Sequence, residues 1–291
     1  MSPQLTVLKP RSPLYFAWRR FADNKAALVA GAILLLIVLM AIFAPLISKT
    51  GYAEQKFLTQ AYAFPQAEFW FGVDDLGRDF FTRIVYGARV SLTIGFTAAA
   101  FSLIIGIPLG AVAGYYGGRA DWCVMRLIEL FSVVPPLLAA MLLGTLTNGG
   151  FATIVLIAAL FGWVQVCLLV RAQVKAMAQK EFVRAAQALG ATPGYIIRRH
   201  LIPNAISPII VGFVLAIPLA MMLEASLSFL GIGVPPPVPS WGQMINVGMN
   251  FMYFYWHLAV FPTAALAITV LATTLFGDGL RDALDPTLKG R

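Results

Sequence analysis

Long uncharged runs, separated by short polar stretches, are the main feature of this sequence. The first run, residues 26–47, holds no charged residue and lies between Lys25 and Lys49. A helix needs about 20 apolar residues to cross the hydrocarbon core of a bilayer. The pattern therefore predicts a first transmembrane helix over 26–48.

The segment before this helix, residues 1–25, is polar and basic. Leu14, Trp18 and Phe21 would share one face of a helix, because they are spaced by four and then three residues. An apolar face with basic neighbours is typical of a helix that lies in the membrane interface. We therefore expect an interfacial N-terminal segment.

The middle of the chain holds two more apolar stretches. After a polar segment over 49–89, residues 90–118 hold no charge until Arg119 and predict a second helix. Residues 130–170 include no Asp, Glu, Lys or Arg, and 41 residues are too many for one helix across a bilayer about 30 Å thick. Thr147–Gly150 supplies a turn near the middle of this stretch, so a third and a fourth helix are predicted.

The last third of the chain contains two further apolar stretches. Its predicted parts are, in order, a polar block over 171–200, a fifth helix beginning at residue 201, a Pro-rich connection over 234–239, a sixth helix at about 256–277 and a polar tail over 278–291. The whole pattern predicts an all-α, polytopic membrane protein with six transmembrane helices, five of them in a core domain over 90–277.

Composition agrees with this prediction and excludes two other classes. Only 12% of the 291 residues are charged and 59% are hydrophobic, whereas a soluble domain has about 25% charged residues. A soluble enzyme and a disordered protein are therefore excluded. The two cysteines, Cys123 and Cys167, lie far apart and form neither a disulfide framework nor a metal-binding motif.

The net charge of +8 indicates orientation in the membrane rather than a nucleic-acid partner. Six helices put both termini on one side. That side, which includes the block over 171–200, carries sixteen Lys and Arg residues, and the opposite side carries five. Since basic residues concentrate in cytoplasmic loops, we expect both termini and this block in the cytoplasm and the segment 49–89 outside.

The most specific pattern lies in the polar block. The run Arg184-Ala185-Ala186-Gln187-Ala188-Leu189-Gly190 is followed twelve positions later by Ile202-Pro203. This order predicts a helix that stops at a glycine, a second turn of helix, and a proline at the entry to the fifth helix. The small residues at 185, 186 and 190 would let another protein's backbone approach closely.

This spacing resembles the EAA loop of ABC importer permeases, the element that docks into a cleft on the ATPase subunit. The resemblance implies a coupling loop over residues 171–204. Arg184 stands where the family has Glu, and Glu181 lies one helical turn earlier. The residues expected at the ATPase contact are Glu181, Arg184, Ala185, Ala186, Gly190, Ala191, Ile202 and Pro203.

Other motifs extend the resemblance from about residue 14 to residue 289. Together they are similar to the "C-type" permease of the dipeptide/oligopeptide/nickel importer family. The matching stretches are Phe71–Asp79, Tyr86–Leu92, Gly114–Gly118, Val134–Leu138, Leu227–Gly233, Pro239–Gly242 and Gly277–Pro286.

The resemblance implies the type I ABC importer permease fold, in the lipid of a bacterial cytoplasmic (inner) membrane. It also implies three kinds of partner: a second homologous permease subunit, two ATP-binding cassette ATPase subunits and an extracytoplasmic substrate-binding protein. The sequence contains no G-x-x-x-x-G-K-[ST] phosphate loop. ATP and Mg²⁺ are therefore expected on the ATPase subunits, and no cofactor, metal or catalytic residue is expected in this chain.

The expected substrates are di- or oligopeptides, with glutathione or a nickel or other metal chelate as the alternative for the same machinery. A secondary transporter and a membrane scaffold are alternatives from other classes. A proton-coupled transporter needs intramembrane acids or histidines as a relay, and this sequence offers little besides Glu224. Copurification of ATPase subunits would separate both alternatives from the importer.

Glu224 is an acidic residue within the apolar stretch of the predicted fifth helix, so its function has to be considered. It lies toward the outer end of the fifth helix. An ionisable residue at such a position faces protein or water. A part in the transport pathway and a hydrogen-bonded structural role are both open.

The other polar candidates favour structural roles. Asp74, Asp75 and Asp79 are close in sequence to Arg78 and Arg83, so ion pairs and turns are favoured over a cation site. His200 and His257 have no second ligand at metal-binding spacing, which makes metal ligation an unfavoured reading.

Overall fold

The computed structural model describes residues 13–147 and 149–284. Within them the chain forms helices joined by turns, with one isolated antiparallel bridge between Val73 and Asp79. The first seven helices are α1 (Pro13–Asp23), α2 (Lys25–Ile42), α3 (Ala44–Ile47), α4 (Phe80–Tyr116), α5 (Gly118–Val133), α6 (Pro136–Leu146) and α7 (Phe151–Ala178). The rest are α8 (Glu181–Ala188), α9 (Pro193–Ile196), α10 (Ile202–Asn204), α11 (Ile206–Phe229), α12 (Trp241–Phe251) and α13 (His257–Leu284).

Parts of three sequence predictions lie outside the described residues. These parts are residues 1–12 of the N-terminal segment, Asn148 of the predicted turn and residues 285–291 of the tail, together with the side chain of Leu14.

Membrane-length helices dominate the described chain. Five of its helices, α2, α4, α7, α11 and α13, are long and apolar enough to cross a bilayer, and α5 with α6 makes a sixth span if this bent pair is counted as one. The prediction of an all-α membrane protein is therefore confirmed, and the number of spans reaches the predicted six when the bent pair is counted as one span. The third span differs from expectation, because it is bent by 78° between α5 and α6.

Prolines explain the break in the third span. Pro135 and Pro136 have no backbone N–H, and a proline pushes the residue before it out of the helical region. Val134 is accordingly extended (ψ 121°) and ends α5, and Pro135 starts the next helix as its N-cap.

The second span begins ten residues before the uncharged run that predicts it. Asp79 caps α4: its Oδ2 accepts the N–H of Thr82 at 2.9 Å and the hydroxyl of Thr82 at 2.6 Å. A capping side chain of this kind fixes where a helix starts. The predicted polar segment 49–89 therefore ends in helix rather than in a loop.

The outer connection between the fifth and sixth spans contains a helix that the sequence pattern does not predict. Trp241, at the start of α12, is buried and donates its indole N–H to the carbonyl of Ile84 in α4 at 3.0 Å. A Cβ on Gly242 would lie 2.5 Å from the carbonyl oxygen of Ala225 in α11. The start of α12 is therefore fixed against both α4 and α11. We call residues 48–79 together with α12 the cap end of the bundle.

The N-terminal helix α1 agrees with the interfacial prediction only in part. Trp18 is exposed. Phe21, however, is buried, and its ring meets that of Phe276 in α13 at 5.5 Å between centroids. One side chain of the predicted apolar face therefore packs on the bundle.

Backbone contact between α4 and α7 forms the centre of the bundle. Three glycines of α4 are spaced by four residues and face α7. A Cβ would lie 2.9 Å from the carbonyl oxygen of Trp163 at Gly106, 2.5 Å from that of Cys167 at Gly110 and 2.7 Å from that of Arg171 at Gly114. Since real Cβ atoms are not found that close to a carbonyl, only glycine permits this packing.

We expect Gly110→Ala to lower the free energy of unfolding by about 1–3 kcal/mol, the usual cost of overpacking a tight core. The reason is that the added methyl group meets the backbone of Cys167 at 2.5 Å, and backbone cannot rotate away. Thermal unfolding of the purified protein in detergent measures the change. Gly194→Ala is the matched control, because a Cβ at Gly194 has open space around it. Equal stability of the two variants would show that the helices are not in backbone contact.

Candidate functional site

The segment between α7 and α11, residues 179–205, holds the most specific sequence motif, and we call it the α7–α11 loop. Its fully buried side chains are Val183 of α8, Ile196 of α9, Ala205, and Leu201, which ends a π-helical turn over Ile197–Leu201. They join one hydrophobic cluster with Val170 and Val174 of α7. Buried apolar surface therefore ties the loop to the transmembrane bundle.

A glycine ends α8, as the sequence predicts. Gly190 has φ +80°, a left-handed conformation that glycine adopts without strain. The N–H of Ala191 donates to the carbonyl of Ala186 at 3.0 Å, and the N–H of Gly190 donates to the carbonyl of Gln187 at 2.9 Å. These two bonds make a Schellman motif, which satisfies the last carbonyls of the helix.

The structure divides the eight predicted contact residues between two faces. The exposed residues are Glu181, Arg184, Ala185, Gly190 and Pro203. Ala186, Ala191 and Ile202 are half-buried and pack against the hydrophobic cluster beneath the loop. Of the three small residues proposed to admit a partner backbone, Ala186 therefore faces the bundle, since it lies three residues after the buried Val183 on the same side of α8.

The exposed face also carries large apolar side chains that the sequence reasoning missed. Leu189 is 89% exposed, and Phe182 and Tyr195 are also exposed. The ring of His200 lies 6.5 Å from that of Phe182 and 5.7 Å from that of Tyr195. The spacing of seven residues between Phe182 and Leu189 was the available signal, because it puts both on one side of α8.

One polar side chain of the loop hydrogen-bonds to the bundle, whereas its charged side chains have no ion-pair partner among the described residues. Gln187 donates from Nε2 to the hydroxyl of Tyr115, near the end of α4, at 3.1 Å. Among the described residues neither Glu181 nor Arg184 has an ion-pair partner within 4 Å. Lys180, Arg198 and Arg199 are exposed as well. The exposed face of the loop is thus basic and apolar, with a single carboxylate.

An ion pair holds α7 to α5 about two helical turns before the loop. Arg171 of α7 donates from Nη2 to Oδ2 of Asp121 at 2.7 Å, and its Nε donates to the other carboxylate oxygen. A two-point contact of this kind fixes the relative orientation of the two side chains.

The structure gives Glu224 hydrogen-bond partners within the bundle. Its side chain has no exposed surface. One carboxylate oxygen accepts the hydroxyl of Ser228, one turn later in α11, at 2.7 Å, and the other accepts the hydroxyl of Ser91 in α4 at 3.0 Å. This geometry joins two spans, and its place among buried residues favours the structural role over the pathway role.

At the cap end, one carboxylate organises the charged residues that the sequence singled out. Asp74 pairs through Oδ2 with Nε of Arg78 at 2.6 Å and with Nε of Arg83 at 3.3 Å. Nη1 of Arg83 also donates to the carbonyl of Tyr52 at 3.1 Å. The predicted ion pairs are therefore confirmed. Burial, and then the neighbouring charge of Asp74, raise the pKa of Asp75 above its usual range.

Metal-binding geometry is lacking in the described residues. Nowhere in 13–147 or 149–284 do three His, Cys, Asp or Glu side chains come together in a way that could hold a metal ion. His257 is buried beside the aromatic ring of Phe64, with 5.2 Å between ring centroids, and His200 lies in the α7–α11 loop.

The described residues form a bundle of membrane-length helices with a loop packed on one end, which is the architecture of a polytopic membrane protein. Comparison with known families makes this specific. The family described as "binding-protein-dependent transport system inner membrane component" matches residues 106–290, and the "N-terminal TM domain of oligopeptide transport permease C" matches residues 12–65. The chain belongs to the binding-protein-dependent transport system inner membrane component family, which confirms the resemblance and the location in the inner membrane.

Two curated relatives illustrate the range of this family. The oligopeptide transport system permease protein OppC of Bacillus subtilis (strain 168) is 42% identical over 94% of this chain and 89% of its own length. The glutathione transport system permease protein GsiD of Pectobacterium atrosepticum is 38% identical over 96% of this chain and 93% of its own length.

The fold has a solved counterpart as well. The MetNI methionine ABC transporter, in an inward-facing conformation, matches with a TM-score of 0.56 over 71% of this chain and 98% of that chain, at 18% sequence identity. This similarity confirms the ABC importer permease fold.

We expect Glu224→Gln to leave uptake per assembled complex unchanged and to lower stability by about 1 kcal/mol, because the amide keeps one acceptor for the two serine hydroxyls and loses the other. Uptake of a labelled dipeptide, divided by the amount of assembled complex in the membrane, measures the first effect. Ser226→Ala, in the same helix but outside this cluster, is the control. Loss of uptake at unchanged assembly would instead place Glu224 in the transport pathway.

Proposed function

We propose that this chain is the peptide permease subunit of an ATP-driven importer, and that the α7–α11 loop receives the movement of a partner ATPase. The observation that carries the proposal is the two-sided construction of the loop. One side is buried in the bundle through Val183, Ile196 and Leu201, and on the other side Leu189 and its neighbours are exposed.

The exposed face has the composition of a protein contact. Phe182, Leu189 and Tyr195 supply large apolar side chains, and Arg184 supplies a guanidinium that can bind a carboxylate with two hydrogen bonds. Aromatic side chains and arginine are enriched where protein contacts contribute most of the binding energy. Burial of the exposed Leu189 side chain against a partner would lower the free energy of the assembled complex.

The buried face explains how movement of the loop would reach the membrane. Val183 packs in one cluster with Val170 and Val174 of α7, and α7 touches the backbone of α4 at Gly110 and Gly114. Packed interiors transmit displacement because they deform little. A shift of α8 would therefore move α7 and α4 together, which is what a switch between outward-open and inward-open states requires.

ATP binding and hydrolysis belong, in this proposal, to two ATPase subunits that carry ATP and Mg²⁺. The loop then lies in the cytoplasm together with both termini, in agreement with the excess of Lys and Arg on that side. A second permease completes the pathway, and an extracytoplasmic binding protein delivers the substrate at the opposite face, where the cap end lies.

Peptides are the proposed substrate class. The names of two relatives support it: OppC of Bacillus subtilis is an oligopeptide permease, and DppC of the same organism, 42% identical over 94% of this chain, is a dipeptide permease. The glutathione permease relatives at 38% identity favour glutathione, itself a small peptide, as the second candidate. Uptake assays with a labelled dipeptide, a labelled pentapeptide and labelled glutathione, each in competition with the others, rank these substrates.

The assembly can be tested by affinity purification of the chain from membranes solubilised in mild detergent. We expect the two ATPase subunits and a second permease to copurify in fixed ratio, with ATPase activity that rises when binding protein and peptide are added. A chain that purifies alone, yet supports uptake driven by a proton gradient, would contradict the proposal.

We expect Gly190→Trp to uncouple ATP hydrolysis from uptake. A Cβ at Gly190 has open space around it, so the added bulk can extend away from the chain toward the partner surface. Gly190→Ala is the matched control: it shares the left-handed backbone strain, about 1–2 kcal/mol, without the bulk. Peptide-stimulated ATPase activity and uptake are measured on complexes of equal composition. Normal stimulation and uptake in Gly190→Trp would remove Gly190 from the contact.

A further inference from the structure

Arg89 of α4 differs from the other basic residues on its side of the membrane. In the proposed orientation the extracytoplasmic side carries five Lys and Arg residues. Four of them have partners: the carboxylate of Asp74 for Arg78 and Arg83, the ring of Trp70 for Lys49, and the ring of Phe57 for Lys56. The side chain of Arg89 is exposed and has neither an ion pair nor a cation–π contact within the part of the chain that the structure describes. Its guanidinium is therefore free to bind an anion.

Arg89 lies deeper than the cap end, at the start of the membrane-embedded part of α4. It follows the N-cap Asp79 by ten residues, which is about 15 Å along the helix. Between them, Ile84 and Gly87 contact Trp241 of α12. Arg89 is also the last charged residue before the uncharged run over 90–118. A protein docked on the outer surface of the cap end would have to extend past α12 to reach this guanidinium, whereas a small solute that has entered the transporter reaches it directly.

Polar side chains continue from Arg89 along the same face of α4 into the membrane. Thr93, four residues later, is exposed, and Thr97, four residues further on, is half-buried. Their hydroxyls donate to the backbone carbonyls of Arg89 and Thr93, both at 2.6 Å, and each oxygen can still accept another hydrogen bond. By contrast, every exposed side chain of α2 over 28–42 is apolar, which suits contact with lipid. A charged and polar face on a membrane-spanning helix is typical of a water-filled substrate pathway.

We propose that Arg89 binds the terminal carboxylate of the peptide inside the transporter, and that Thr93 accepts a hydrogen bond from the peptide backbone one helical turn deeper. The inference rests on the proposed function, and it adds a contact between this subunit and its substrate. A guanidinium forms two parallel hydrogen bonds with a carboxylate, and this geometry suits a free peptide terminus better than an uncharged amide. Dipeptides, longer peptides and glutathione all carry such a carboxylate, so the contact applies to each proposed substrate.

Uptake of a labelled peptide and of its C-terminal amide, by the complete transporter in proteoliposomes, tests the contact. Each is supplied at a concentration that loads the purified binding protein equally, so the ratio of acid to amide uptake reports the steps after delivery. We expect Arg89→Gln to lower this ratio about tenfold, because a hydrogen bond to a charged group is worth at least that factor. Arg89→Lys keeps the charge without the two-point geometry and should give an intermediate ratio. Lys56→Gln removes an exposed cation on the same side and is the matched control, with an unchanged ratio.

Each other result overturns the inference. An unchanged ratio in Arg89→Gln, an equal fall in uptake of both peptides, or an equal change in Lys56→Gln would show that Arg89 does not bind the carboxylate. Loss of the second permease from the Arg89→Gln complex would assign the guanidinium to an acid of that subunit. An effect that disappears in vesicles without anionic lipid would assign it to a lipid phosphate. All of these results leave the proposed function standing, whereas a wild-type transporter that takes up neither peptides nor glutathione overturns both.

Discussion

Contact between the backbones of α4 and α7 is the interaction on which the other parts of this structure depend. The two helices approach so closely that a side chain larger than hydrogen would clash with carbonyl oxygens of α7 at Gly106, Gly110 and Gly114. Hydrocarbon gives helices no hydrophobic reason to associate, so close packing supplies the attraction instead. The start of α4 contacts the cap end, because Asp79 is its N-cap and the carbonyl of Ile84 accepts the indole N–H of Trp241. The end of α7 leads into the α7–α11 loop. One rigid pair therefore connects both ends of the molecule.

Two groups of buried polar side chains, one at the cap end and one within the bundle, have partners within the chain. At the cap end, Asp74 neutralises two arginines, and the indole of Trp241 fixes α12 to α4. Within the bundle, the carboxylate of Glu224 accepts two serine hydroxyls and has no exposed surface. Buried polar groups are retained when every partner is present, and they then specify one arrangement. The broken third span differs, because Pro135 and Pro136 offer no N–H to the carbonyls of Phe131 and Ser132.

Sequence reasoning located the motif of the α7–α11 loop but did not identify all of its exposed side chains. The run from Arg184 to Gly190 predicts a short helix with a glycine stop, and the Schellman motif at Gly190 confirms that stop. Which face of α8 meets the bundle could not be read from eight residues of mixed character, so Ala186 was assigned outward and Leu189 was not considered. Burial of Val183 decides the matter, because it fixes the rotation of α8 about its own axis.

The sequence by itself determined the class, the family, the number of spans and the position of the loop, since these follow from the lengths of uncharged runs and from motifs that are local in the chain. Tertiary structure alone decided three features that depend on residues far apart. Ser91 and Glu224 are 133 positions apart, and Trp241 and Ile84 are 157 positions apart, so no pattern within one stretch could pair them. The bend of 78° between α5 and α6 is the third. Two prolines permit it, and Phe131, just before the bend, packs against Trp163 of α7, 32 positions later in the chain.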